Sequence, residues 1–165
     1  MASPPARNPT DPRPHPEVVD VAPTLNGALD GHNVSLGLRF LEATRERVRA
    51  ELTVGSQHHQ AYGIVHGGVY TSMVETACSV GAAMVAAVGG ASAVGLENHT
   101  SFLHAVREGT LRVEATPVEC GKRTQLWQAS VFDSRERVVA SGRVRMFVFE
   151  GPATLAGETL AVKDR

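Results

Sequence analysis

From residue 52 to residue 96 the chain carries a single Asp, Glu, Lys or Arg, namely Glu75, and no Lys or Arg stands between Arg49 and Arg107. The long uncharged stretch 64–96 therefore lacks the basic flanks that anchor a membrane span. It is built of Ala, Gly and Ser around a central carboxylate, which excludes a membrane helix. Cysteine is scarce too: Cys78 and Cys120 have no framework spacing, so a disulfide scaffold is excluded and a reducing, cytoplasmic setting is expected. Neither sign of charge dominates, with 16 basic residues against 17 acidic, and this leaves no electrostatic footprint for nucleic acid. The N-terminal residues lack the basic, apolar and small-residue series of a secretory signal. No Gly-x-Ser-x-Gly turn is present to expose a serine nucleophile. His58, His59, His66, His99 and His104 come without a cysteine or second carboxylate at ligand spacing, so no metal site is expected.

What is there fits one domain, since 165 residues suffice for one core and not for two. Residues 1–30 hold Pro4, Pro5, Pro9, Pro12, Pro14, Pro16 and Pro23 and read as a flexible tail. The domain is expected over residues 31–150, with a second tail over residues 151–165. Residues 34–41 suit a short helix or a first strand, with the strand preferred. From Arg47, the apolar Val48, Ala50, Leu52 and Val54 alternate with Arg49, Glu51 and Thr53, the period of a half-buried strand that Gly55 ends. Four more strands are predicted over 93–102, 110–118, 123–132 and 138–149. Arg107-Glu108-Gly109, Cys120-Gly121-Lys122 and Asp133-Ser134-Arg135-Glu136 between them suit hairpins of a largely antiparallel sheet.

Residues 66–88 contain no Lys, Arg, Pro or Asp and are rich in Ala, Val and Met, which predicts a buried helix opening on His66-Gly67-Gly68. At about 100° per residue, one side carries Gly68, Thr71, Ser72, Glu75, Ser79, Ala82 and Ala86, and the other carries Tyr70, Met73, Ala77, Val80, Met84 and Val88. The first stripe is small and polar and the second is core. A carboxylate on the small stripe faces something that comes close to the backbone, because an unpaired buried charge costs several kcal/mol, on the order of the usual desolvation penalty. A structural carboxylate held by neighbouring hydroxyls or a partner chain is the plainer alternative to a catalytic one. One long helix with five or six antiparallel strands packs most simply as an α+β fold, the sheet wrapped around the helix.

Ala61-Tyr62-Gly63-Ile64-Val65-His66-Gly67-Gly68-Val69 followed by Glu75, the segment Gly95-Leu96-Glu97-Asn98-His99-Thr100-Ser101-Phe102, and Gly121 before the Trp127 strand together resemble the hotdog-fold thioesterases of the PaaI type. The likeness is closest to the Arthrobacter-type 4-hydroxybenzoyl-CoA thioesterases. It implies a hotdog fold and an acyl-CoA thioesterase of no cofactor beyond the coenzyme A of its substrate. It also implies an aromatic or medium-sized acyl group and a homotetramer. In its terms Glu75 is nucleophile or general base, the Gly67 amide polarises the thioester carbonyl, Gln60 assists from the preceding loop, His66 supports the loop or carbonyl, and Ser79 helps position water. Gly68, Ser72, Asn98, Lys122 and Arg123 are the expected substrate contacts, the last two at the nucleotide end of coenzyme A. Ser79 stands where the closest relatives have Thr, and Lys122-Arg123 where hydroxyl residues are usual.

A physical argument adds to the resemblance. A helix beginning at Gly67 offers unpaired N–H groups and the positive end of its dipole to a carbonyl oxygen that gains negative charge. Eight residues from Gly67 to Glu75 span about 12 Å of helix, whereas a reacting carbonyl sits about 3 Å from both groups. One helix cannot do both jobs. Two helices packed antiparallel across a twofold axis can, with Gln60, His66 and Gly67 from one chain and Glu75 and Ser79 from the other, so a homodimer is the expected minimum. Arg143 and Arg145 are further candidates for coenzyme A phosphates. The rival readings are a non-hydrolytic acyl-CoA binding protein, which has no need of Glu75, and a hydratase, disfavoured because no Asp and His pair follows Gly68 at helix-and-loop spacing.

Overall fold

The structure, a computed structural model, describes residues 18–151 together with 154, 155, 158 and 159. Two short helices, α1 (Ala22–Gly27) and α2 (Gly31–Ser35), precede strands β1 (Arg39–Ala43) and β2 (Val48–Thr53). A 3-10 turn at Ser56–His58 leads to the long helix α3 (Gly67–Val88), followed by β3 (Ala91–Phe102), β4 (Thr110–Cys120), β5 (Thr124–Phe132) and β6 (Val138–Glu150). Two-residue strands β7 (Thr154–Leu155) and β8 (Glu158–Thr159) pair antiparallel. The six longer strands form one sheet in the order β1-β2-β4-β5-β6-β3, with every pairing antiparallel. This is the expected hotdog arrangement, with α3 packed on one face of the sheet.

Alternation in the strands sets that face. In β6, Ala140, Gly142, Val144, Met146 and Val148 are buried while Ser141, Arg143 and Arg145 face outward. Leu52 pairs with Leu111, Val113 with Val131 and Trp127 with Val144, so one continuous apolar surface meets the helix. From α3 come Val69, Tyr70, Met73, Val74, Ala77, Cys78, Gly81, Ala82 and Ala86. Gly81 is the point of closest approach: a Cβ there would stand 2.4 Å from two Trp127 ring atoms, so the indole lies directly on the helix backbone. The Trp127 Nε1 donates to Gln125 Oε1 at 2.9 Å, and Gln125 Nε2 donates to the Ala82 carbonyl at 3.3 Å, which satisfies these buried polar groups between sheet and helix.

Four expectations need correction. The tail reading fails for residues 18–30, while residues 1–17 lie outside the described residues. Pro23 sits in the first turn of α1, where its missing N–H is no loss, and Ala22 is buried. The Asp20 carboxylate accepts from Ala43 N at 2.9 Å, and the Asn26 amide exchanges hydrogen bonds with the backbone of Phe40, so this segment clamps the outer edge of β1. Residues 34–41 hold the end of α2 and the start of β1 in place of one strand. Arg107-Glu108-Gly109 is no hairpin, because β3 pairs with β6 at one edge and the chain then crosses to β4 between β2 and β5. The stripes on α3 are rotated toward its C-terminus: Ala82 and Ala86 are buried, whereas Val88 is exposed. A sheet wrapped over one side covers a wide arc of helix, and small residues near Trp127 belong under it.

Candidate active site

His66 is the N-cap of α3, its Nδ1 accepting from Gly68 N at 2.9 Å. The cap uses the Gly68 N–H, and among the described residues no acceptor takes the Gly67 N–H. Of the two expected glycine contacts, Gly67 thus has its donor available at the positive end of a 22-residue helix, and Gly68 does not. A side chain at Gly67 would collide with Phe102, whose Cε2 lies 2.8 Å from the position of a Cβ. Gln60 stands in the preceding loop, its N–H donating to the Ile64 carbonyl at 2.9 Å. Gln60, Gly67, Tyr70, Phe102, Leu103 and His104 line one shallow concavity of about 200 Å³.

Glu75 lies two turns further along α3, half-buried, and both carboxylate oxygens are held. Ser79 Oγ donates to Oε1 at 3.1 Å, and Asn98 Nδ2 donates to Oε2 at 2.8 Å. Thr100 Oγ1 donates to Asn98 Oδ1 at 2.7 Å, which fixes the amide so that its nitrogen faces Glu75. β3 makes room for the carboxylate at Gly95, where a Cβ would stand 2.6 Å from Glu75 Oε1, beside the β3 irregularity between Gly95 and Glu97. Glu75 opens into a second concavity of about 230 Å³ shared with Thr71, Ser72, Thr76, Asn98 and His32. The structure therefore joins Glu75, Ser79, Ser72 and Asn98 in one group, and Gln60 and Gly67 in another. Within one chain the two groups open into different hollows.

His32 and Thr76 at the Glu75 hollow, and Asn33 behind Thr76, escaped the sequence reading. His32 Nε2 lies 2.9 Å from Ser72 Oγ, and Asn33 Oδ1 accepts from Thr76 Oγ1 at 3.0 Å, so α2 leans on the Glu75 face of α3. The only signal was a His-Asn pair just ahead of residues 34–41, with no periodic pattern around it. Cys78, next to this face but turned into the core, is no competing nucleophile: burial, with the Glu75 charge adding, pushes its thiol up to about 12.

The loop histidines serve backbone groups. His58 is buried, with Nδ1 accepting from Gly55 N at 2.8 Å and Nε2 3.0 Å from the Leu36 carbonyl, and His59 Nε2 lies 2.7 Å from the Arg107 carbonyl. Among the described residues no three His, Cys, Asp or Glu side chains converge as metal ligands would. Lys122 and Arg123 border a hollow with Phe147 and Phe149, whereas Arg143 and Arg145 border another with His99, and Arg145 pairs with Glu97 at 2.9 Å. The four basic candidates are thus split between two places on the outer sheet face.

Comparison with known proteins bears on this geometry. Residues 62–140 match the family model described as the thioesterase superfamily. The Mycobacterium tuberculosis protein Rv1847 is 41% identical over 113 residues, 67% of this chain and 81% of that one. The 1,4-dihydroxy-2-naphthoyl-CoA hydrolase of Escherichia coli is 32% identical over 121 residues, 73% of this chain and 88% of the enzyme. Among solved structures, thioesterase HI1161 of Haemophilus influenzae matches with a TM-score of 0.73 at 25% identity, over 78% of this chain and 90% of that one.

Proposed function

Because the chain belongs to the thioesterase superfamily, we propose that it hydrolyses an acyl-CoA thioester with an aromatic or medium-sized acyl group, at two sites shared across a homodimer. The observation that carries this reading is the separation of the Gly67 amide and the Glu75 carboxylate into different hollows of one chain. Two copies with antiparallel α3 helices bring the amide of one to the carboxylate of the other. Strand β3 supports such a partner: it is a twelve-residue edge strand, with Leu96 and Phe102 exposed along it, and a long unpaired edge of this kind is normally covered.

In the assembled site the Gly67 N–H donates to the thioester oxygen and stabilises the oxyanion that forms. Glu75, oriented by Asn98 and Ser79, either attacks the carbonyl carbon to give an acyl anhydride that water then opens, or takes a proton from the attacking water. On both routes the C–S bond breaks, the acyl group leaves as a carboxylic acid, and coenzyme A leaves as its thiol. A thiolate is a good leaving group, so no further acid is required. Gln60 assists at the carbonyl from the loop, and Lys122 and Arg123 take the nucleotide phosphates. The resemblance to Arthrobacter-type 4-hydroxybenzoyl-CoA thioesterases and the naphthoyl-CoA named for the Escherichia coli relative support an aromatic acyl group. A cytoplasmic location and pairing of dimers into a tetramer belong to the same proposal.

Steady-state hydrolysis of a panel of acyl-CoA esters by wild type and Glu75→Gln tests it. The variant is expected to lose between about 100-fold and 10,000-fold in kcat while remaining dimeric and still binding the ester. Wild type that binds the esters and leaves them intact overturns the hydrolase in favour of a non-hydrolytic acyl-CoA binding protein.

A further inference from the structure

Gln60 sits on a turn that the core hardly holds. Gly63 N donates to the Gln60 carbonyl and Gln60 N to the Ile64 carbonyl, both at 2.9 Å, which closes residues 60–64 into a tight turn with Gly63 at a φ of 67°. Of residues 60–66 only Val65 is buried, and Tyr62 at the tip is 79% exposed, so packing does not fix the turn from outside. The connection that follows β3 does. Val65 N donates to the Val106 carbonyl at 2.8 Å, and His59 Nε2 lies 2.7 Å from the Arg107 carbonyl, so the base of the turn is tied on both sides of Gln60. The Arg107 guanidinium then reaches the tip: its Nη1 donates to the Gly63 carbonyl at 3.0 Å and to the Tyr62 carbonyl at 3.4 Å. Among the described residues no other donor takes either oxygen. Gly63 makes the approach possible, since a Cβ there would stand 3.3 Å from Nη1.

We infer that Arg107 is a positioning residue for the hydrolysis: by holding the Tyr62 and Gly63 carbonyls it fixes the turn, and through the turn the direction in which Gln60 meets the thioester carbonyl. The inference rests on the thioesterase reading and on the part that reading gives Gln60. At an exposed turn, water satisfies carbonyl oxygens as well as a guanidinium does, so what Arg107 adds is direction. Gln60 lines the hollow of the Gly67 amide, and its side-chain amide makes no hydrogen bond to another described residue, so its backbone alone aims it. A misplacement of about 1 Å in a group that aligns reactants costs about 100-fold in rate. His104 and Ala105 line the same hollow while Val106 and Arg107 tie the turn, so one short segment both shapes the hollow and fixes the residue that works in it. A guanidinium suits the task because it stays charged at every working pH and presents its donors in a fixed fork.

The test compares full-length wild type with Arg107→Ala, Arg107→Gln and Arg107→Lys in steady-state hydrolysis of an acyl-CoA panel that includes benzoyl-CoA and hexanoyl-CoA, with circular dichroism to measure folded protein. The Ala and Gln variants are expected to lower kcat by about 10-fold to 100-fold with KM within about twofold, and the Lys variant, which keeps a charged donor, to fall between them and wild type. Unchanged kcat in a folded Ala or Gln variant overturns the inference. A rise in KM at constant kcat makes Arg107 a contact for the ester and overturns it too, as does a loss that only follows the loss of folded protein in all three variants. Subunit mixing gives a second readout. Arg107→Ala co-expressed with Glu75→Ala is expected to regain about a quarter of wild-type activity per chain, and Arg107→Ala with Gln60→Ala to regain none, because Arg107 serves the Gln60 of its own chain. The reverse pattern overturns the inference. If Gln60→Ala and Glu75→Ala also fail to complement each other, the shared site fails and the kcat of the Arg107 variants decides alone. If wild type hydrolyses none of the esters, the thioesterase reading itself fails and takes this inference with it, an outcome distinct from an active wild type whose Arg107 variants are unimpaired.

Discussion

Glu75 was legible from composition, because a lone carboxylate in a run of 45 residues must either be paired or act. The structure shows how it is held, by one hydroxyl from its own helix and one amide from β3. A hydrogen bond to a charged group contributes about 1.5–3 kcal/mol, so Asn98→Ala is expected to lower kcat by about 10-fold to 100-fold while KM stays within about twofold. That split marks a positioning residue; a rise in KM with kcat unchanged assigns Asn98 to substrate contact. Asn98 was visible in the sequence as one polar residue on a strand, but nothing local pairs it with a helix residue 23 positions earlier. The pairing depends on Gly95, where the absence of a Cβ admits the carboxylate, and on Thr100, which sets the amide. His32 was less legible still, since its segment is a five-residue helix too short for a periodic signal.

Among the elements, the strands with clean alternation were readable within two or three residues at their ends, and α3 was readable at its start because His66-Gly67-Gly68 joins a cap to an apolar run. Order in the sheet was not readable: the 103–109 connection has the length of a hairpin, yet it carries the chain from the edge strand β3 to β4. The helix interior holds a test of the packing. In an open helix Gly→Ala stabilises by about 1 kcal/mol, but at Gly81 the new methyl meets the Trp127 ring, and overpacking costs about 1–3 kcal/mol. Gly81→Ala is therefore expected to lower the urea midpoint, and a raised midpoint contradicts the close approach.

The β5–β6 hairpin holds a second test at this scale. Burial pushes the Asp133 carboxyl up, but the backbone N–H groups of Arg137 and Arg135 and the Arg137 guanidinium outweigh it and hold the group below the usual carboxylate range. A depressed folded value contributes stability that is present above the unfolded pKa and is lost as pH falls through the folded one. The difference in Tm between wild type and Asp133→Asn should thus be largest near neutral pH and shrink on acidification below about pH 4. A difference constant with pH contradicts this assignment.

At the scale of the whole molecule, the account turns on one chain being half of each site. The 1.5 Å rise of a helix keeps Gly67 and Glu75 about 12 Å apart, and they open into two hollows of one chain, which is the geometry the proposed shared site is built on. The most direct measurement is complementation between Glu75→Ala and Gln60→Ala, each inactive alone, co-expressed with different tags at equal levels. If Gln60 of one subunit works with Glu75 of the other, half of the random dimers are mixed and each mixed dimer holds one intact site of two. Activity should then return to about a quarter of the wild-type value per chain and co-purify with both tags. No gain over the separate variants, with mixed dimers present, contradicts the shared site and with it the central claim.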